Sequence, residues 1–167
     1  MIAGHYPGSA LLATVVMAAA AGCPTPASAQ ADATVARDEG AIRDTMAAYN
    51  AALNGGKTSA VLPLYADDGV FMPPYSQSAV GKEAVRKAYD AVFDELKFDV
   101  KFNIAELVVM TPMWAYVRTN STGATLHHST GKTTAESNQE LFIFKKADDG
   151  KWRIARYSFS PTNPPEK

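Results

Sequence analysis

The chain has 167 residues, 47% of them hydrophobic and 20% charged, which suits one globular domain and is too short for two comfortable ones. The formal net charge is −1, and Lys82, Arg86, Lys145, Lys146, Lys151 and Arg153 are interleaved with acids, so the basic stripe of a nucleic-acid binder is excluded. One cysteine cannot close an internal disulfide, and no Cys/His spacing resembles a metal framework.

The first element is a targeting segment. Residues Ala10 to Ala21 form an apolar run with the length of a signal-peptide core, too short to span a bilayer well, so no membrane span is expected. Ala27-Ser28-Ala29 follows as a small-residue cleavage site, which makes residues 1–29 a signal peptide, although Met1 to Ser9 lacks the usual basic residues. Ala20-Ala21-Gly22-Cys23 resembles a bacterial lipobox, with Ala20 where leucine is usual, and offers a lipid anchor at Cys23 as the alternative. Both readings export the domain to the periplasm or beyond.

Residues 30–34 read as a linker, and the domain as 35–160 with a short tail at 161–167. Ile42, Met46, Tyr49 and Leu53 recur on one helical face, and Asn54-Gly55-Gly56 stops that helix. Thr58 is placed to cap a second helix over Ser59 to Tyr65, bent at Pro63. Asp67-Asp68-Gly69 reads as a turn before the strand Val70 to Met72, which Pro73-Pro74 breaks. After Gly81, the stripe of Val85, Ala88, Tyr89, Val92, Phe93 and Leu96 predicts a third helix. The period then changes to two: Phe98, Val100, Phe102 and Ile104 alternate with polar residues. Leu107 to Met110 and Met113 to Thr122 form a pair across Thr111-Pro112. Thr133 to Lys146 and Trp152 to Ser160 form another across Asp148-Asp149-Gly150-Lys151. Helices followed by hairpin-linked strands predict an α+β fold with three helices on one face of a curved antiparallel sheet.

Three stretches carry a family resemblance. They are Tyr49 to Gly56, Leu64-Tyr-Ala-Asp-Asp-Gly-Val-Phe-Met-Pro-Pro, and Gly81-Lys-Glu-Ala-Val-Arg-Lys-Ala-Tyr. In that order and spacing they resemble the SnoaL-like and ketosteroid-isomerase-like domains of the nuclear transport factor 2-like superfamily. Asp149-Gly-Lys-Trp-Arg-Ile-Ala-Arg-Tyr-Ser-Phe is similar to the closing hairpin of its SgcJ/EcaC subgroup. The resemblance implies a cone-shaped half-barrel with an internal hydrophobic pocket for an apolar small molecule, and a homodimer. The fold alone does not fix an activity.

In ketosteroid isomerases a helix tyrosine and a protonated strand acid make an oxyanion hole, and a separate aspartate shuttles the proton. By that resemblance Tyr49 matches the tyrosine and Glu140 the strand acid, while Met72-Pro73-Pro74 stands where the aspartate belongs. Tyr49 and Glu140 are therefore the candidate catalytic pair for isomerase, cyclase or dehydratase chemistry. The alternative is a non-catalytic binding or interaction module.

Period two puts Glu136, Asn138, Glu140, Phe142 and Phe144 on one strand face and Leu141 and Ile143 on the other; either face can be the inner one. Phe71, Tyr75, Asn138, Phe142, Tyr157 and Phe159 are candidate ligand contacts, with Tyr75 as a cover for the mouth. Asp67 and Asp68 are read as turn-shaping, and Tyr65, Tyr89, Phe93 and Trp114 as core. Arg118 and Arg156 are either partners for an inward anion or surface charges. Neighbouring His127 and His128 would point apart on a strand and cannot chelate one metal. No Gly-rich dinucleotide loop appears, and no cofactor is expected.

Overall fold

A computed structural model of the chain describes residues 26–163 together with Met1 and Gly4. The apolar run 10–21 and Cys23 lie outside the described residues. The elements are α1 (Pro26–Asn54), α2 (Thr58–Val61) with a 3-10 turn (Leu62–Leu64), β1 (Tyr65–Met72), β2 (Ala79–Val80), α3 (Lys82–Glu95), β3 (Leu96–Thr111), β4 (Trp114–His127), β5 (Thr133–Lys146) and β6 (Trp152–Pro161). Six strands in the order β2-β1-β6-β5-β4-β3 make one curved sheet, with the helices on its inner face. Among the described residues, no helix is long and apolar enough to cross a membrane.

The stripe of α1 packs as its spacing requires: Ile42, Met46, Tyr49 and Leu53 are all buried. The stretch 30–34, expected to be a linker, is helical instead. It is alanine-rich, and the Thr34 hydroxyl bonds back to the Gln30 carbonyl at 2.9 Å. Thr58 is the first residue of α2 rather than its cap, and the second helix closes early as a 3-10 turn around Pro63.

Asp67-Asp68-Gly69 is no free turn but an irregularity inside β1, which pairs with β6 at Tyr65 and again from Val70. That pairing is parallel, so the sheet is mixed rather than purely antiparallel. The long path through β2, α3 and three further strands supplies the crossover that a parallel pair needs. Asp67 pairs with Lys82 at 3.0 Å on the surface. Leu96, read as helical, opens β3, and the two expected strands 98–104 and 107–110 are one strand with a register shift between Ile104 and Glu106. At Gly123 a Cβ would stand 2.1 Å from the Asp99 carbonyl oxygen, so only glycine lets β3 and β4 approach there.

Two polar contacts fasten α1 to the sheet. At one end the buried Asp38 carboxylate accepts from the Trp152 indole at 3.0 Å and from Lys146 at 2.5 Å. Nearer its C-terminal end, the amides of Asn50 and Asn54 meet the outer edge of β3. Asn54 donates to the Val100 carbonyl at 2.8 Å and accepts from the Val100 N–H at 3.0 Å. Asn50 donates to the same carbonyl at 2.8 Å and accepts from the Phe102 N–H at 3.3 Å. Four helical residues rise about 6 Å and two strand residues about 6.6 Å, so the two spacings match.

Burial alone would push the Asp38 carboxyl up, but the hydrogen bonds from Lys146 and Trp152 outweigh it and hold the group below the usual carboxylate range. A folded-state value below the unfolded one gives stability that is complete above about pH 5 and lost as pH falls through the folded value. Urea unfolding should find Asp38→Asn about 1–2 kcal/mol less stable at pH 7, with the gap closing by pH 3. A gap independent of pH would contradict this assignment.

Candidate functional site

The hydroxyls of three buried tyrosines form a chain inside the sheet's concave face. Tyr49 on α1 lies 2.7 Å from Tyr89 on α3, and Tyr89 lies 3.0 Å from Tyr65 at the start of β1. Either hydroxyl of each pair can be the donor; in the arrangement that runs from Tyr65 through Tyr89 to Tyr49, the Tyr49 proton is left free. Burial first, then the neighbouring phenols, pushes all three well above the ordinary tyrosine value, so they remain donors. Tyr65 and Tyr89, read from the sequence as core, are core residues with this additional connection.

Around that chain the rings pack face to face and edge to face. Tyr157 stacks on Phe142 at 4.1 Å between centroids, and Phe71 lies between Tyr89 at 4.9 Å and Tyr157 at 5.5 Å. The packing leaves a cavity of about 240 Å³ between α1, α3 and the inner sheet face. Its apolar wall is Leu53, Phe71, Val92, Phe98, Phe102 and Phe159, with Tyr49, Tyr89 and Tyr157 presenting phenols. Ser121, Glu136 and Asn138 supply a polar side, and Pro73 and Pro74 close another.

The inner face of β5 is the one bearing Glu136, Asn138, Glu140, Phe142 and Phe144; Leu141, on the other face, is 45% exposed. Glu140 is only 3% exposed and sits beyond the cavity lining, opposite Thr119, whose hydroxyl donates to Oε2 at 2.5 Å. Its Oε1 has no partner. Burial pushes the Glu140 carboxyl up, against the opposing hydrogen bonds of Ser121 and Thr119. One residue pair nearer the cavity, the Asn138 amide donates to Glu136 Oε1 at 2.7 Å and to the Ser121 hydroxyl at 3.3 Å. Thr125 donates to the other Glu136 oxygen at 2.9 Å.

Three expectations need correction. Tyr75 does not cover the cavity: it is 99% exposed with φ of 60°, because the two prolines before it close the wall and carry the chain outward. Phe142 lies behind the wall, stacked under Tyr157, rather than against a ligand. Trp114 is half-buried outside the core cluster, with Lys145 5.7 Å above its ring. Arg118 and Arg156 both take their surface reading, pairing with Glu106 at 3.2 Å and the Asp68 carbonyl at 3.0 Å. His127 meets Thr134 at 3.1 Å and His128 the Asp94 carbonyl at 2.9 Å, so each imidazole has its own partner. Among the described residues, no three His, Cys, Asp or Glu side chains cluster to hold a metal.

A SnoaL-like domain model matches residues 46–155, more than half of the chain. The chain belongs to the SnoaL-like domain family. It is similar to a ketosteroid isomerase-like protein from Erwinia carotovora atroseptica, at 36% identity over 76% of this chain and 98% of that one, with a TM-score of 0.73. A conserved protein from Planctomyces limnophilus is 25% identical over 75% and 98%, with a TM-score of 0.66. An NTF2-like protein with a cystatin-like fold from Novosphingobium aromaticivorans, at 18% identity over 86% and 94% and a TM-score of 0.68, shares the fold. No curated protein matches the chain.

Pro73 and Pro74 close one side of the cavity, and a pyrrolidine ring accepts no proton. Glu140 therefore gives the clearest electrostatic test of the site. Its folded-state value lies above the unfolded one, so the chain loses stability as pH rises past about 4.5 and levels off above the folded value. Glu140→Gln removes that loss. Urea unfolding should find the variant gaining on the parent between pH 4 and pH 8, by about 1 kcal/mol or more; a constant difference would contradict a buried, upshifted carboxyl.

Proposed function

We propose that this is an exported small-molecule-binding SnoaL-like domain whose cavity takes an apolar, carbonyl-bearing molecule. The observation that carries the reading is the aromatic-walled cavity with the end of a phenol chain in its wall. Apolar walls supply affinity by removing hydrocarbon from water, and a few fixed polar groups set orientation. With the phenol chain running from Tyr65, the Tyr49 hydroxyl would donate to a carbonyl oxygen. The export half of the proposal rests on the apolar run 10–21 and the Ala27-Ser28-Ala29 site, with lipidation of Cys23 as the alternative route. A homodimer across the outer sheet face, where Leu141 is exposed, belongs to the same proposal.

Acid–base turnover is a second reading, favoured by one feature: a buried carboxyl with an upshifted pKa on the strand beside the phenol chain. Tyr49 would stabilise negative charge developing on the carbonyl oxygen, and Glu140, which stands behind the lining beside Thr119, would accept the proton leaving the adjacent carbon once its ionised carboxylate turns into the cavity. In that scheme Glu140 replaces the aspartate that Pro73 and Pro74 displace.

Fluorescence titration with 2-naphthol and 2-acetylnaphthalene separates these readings. Both should bind the parent chain; Val92→Trp, which fills the cavity, should abolish binding, and Tyr49→Phe should weaken the ketone by about tenfold. Binding unaffected by Val92→Trp would place the ligand elsewhere. Exchange of the methyl-ketone protons with deuterium, lost in Glu140→Gln, would support turnover; no exchange would leave a binding module.

A further inference from the structure

We infer that the cavity selects molecules carrying an amino group on an apolar, ring-sized body, with the ammonium seated against Asn138 and Glu136. This rests on the ligand-binding reading above and adds the charge and donor pattern of the ligand.

The orientation of Asn138 is fixed by chemistry. A carboxylate only accepts hydrogen bonds, so the amide group that faces Glu136 Oε1 at 2.7 Å is the NH₂. The carbonyl oxygen Oδ1 then points away from Glu136, in a side chain that lines the cavity and is only 7% exposed. It has no partner. Among the described residues, Asn138 Oδ1 and Glu140 Oε1 are the buried side-chain polar atoms left unmatched. Glu140 stands beyond the lining on the same face of β5, among Thr119 and Ser121, so Asn138 Oδ1 is the unmatched acceptor that belongs to the cavity. Natural interiors rarely leave such an atom unsatisfied, and only a donor can satisfy it.

The lining sets the sign of the donor's charge. It contains Glu136 and no Lys, Arg or His. Both Glu136 oxygens are held by donors, from Thr125 and from Asn138, so its charge is fixed at the polar side of the cavity. A carboxylate or phosphate ligand would meet that charge with no cation to offset it. An ammonium group instead gains Glu136, supplies an N–H donor to Asn138 Oδ1, and has the faces of Phe71, Tyr157 and Phe159 beside it. Those three rings are stacked within 21° of one another. A neutral hydroxyl satisfies one acceptor and gains none of the charge attraction.

Calorimetric titration of the full chain at pH 7.5 with 2-phenylethylamine, 2-phenylethanol and phenylacetate, three probes with one ring and different head groups, tests the inference. The amine is expected to bind at least tenfold more tightly than the alcohol, with phenylacetate weaker than both. Glu136→Gln, which is isosteric, should remove most of the amine's advantage over the alcohol; Asn138→Leu should do the same, with the melting temperature of each variant checking that it is folded. Phenylacetate binding as tightly as the amine, or an amine preference that survives Glu136→Gln, overturns the inference. If the alcohol binds and the amine does not, the amine assignment falls and the ligand-binding reading stands; if none of the three binds, both fall.

Discussion

The cavity exists because two asparagine side chains stand in for a missing strand. β3 is the edge of the sheet, and an edge exposes a row of unpaired N–H and C=O groups. Asn50 and Asn54 satisfy that row at Val100 and Phe102, and they do so from one face of α1. Each immediately precedes or follows a residue that matters to the cavity: Tyr49 sits before Asn50, and Leu53 before Asn54. Fixing the two amides on the strand edge fixes the rotation of the helix, and that rotation turns Tyr49 and Leu53 inward. Val100 and Phe102 are themselves wall residues, so the same contacts define both sides of the gap.

The rest follows from what is enclosed. Rings from α3, β1, β5 and β6 fill most of the concave face and leave a volume that is dry on one side and polar on the other. On the dry side, phenol hydroxyls cannot reach water, so they bond to one another in the Tyr65–Tyr89–Tyr49 chain. On the polar side, Glu136, Asn138 and Ser121 satisfy one another almost completely, and the surplus is acceptor capacity rather than donor capacity. That imbalance distinguishes this cavity from one built only to stabilise an oxyanion, which needs donors.

Periodicity made much of the fold legible. The stripe Ile42, Met46, Tyr49 and Leu53 is buried as its spacing demands, and β5 keeps the boundaries and the inner face that carry Glu140. Tyr49, Phe71, Asn138, Tyr157 and Phe159 all line one cavity. Local rules failed where tertiary pairing overrode them. Asp67-Asp68-Gly69 has turn chemistry, yet β6 draws it into a strand with an irregular register. Leu96 completes a helical stripe, but the chain turns there into the edge strand that α1 covers. Asn50 went unread because a polar residue beside an apolar stripe normally faces water; its spacing of four from Asn54 was the available signal. Tyr89 was read as packing alone, although a buried phenol needs a partner, and two more tyrosines were there to provide one.

Native-state hydrogen exchange at the Val100 amide, in the parent chain and in Asn54→Ala, tests this constraint most directly. If the asparagine clamp holds β3 against α1, losing the Asn54 acceptor lowers the opening free energy at Val100 by about 1–3 kcal/mol while amides in the centre of β5 keep theirs. Unchanged protection at Val100, or an equal loss throughout β5, would show that the edge strand is held by something other than the clamp.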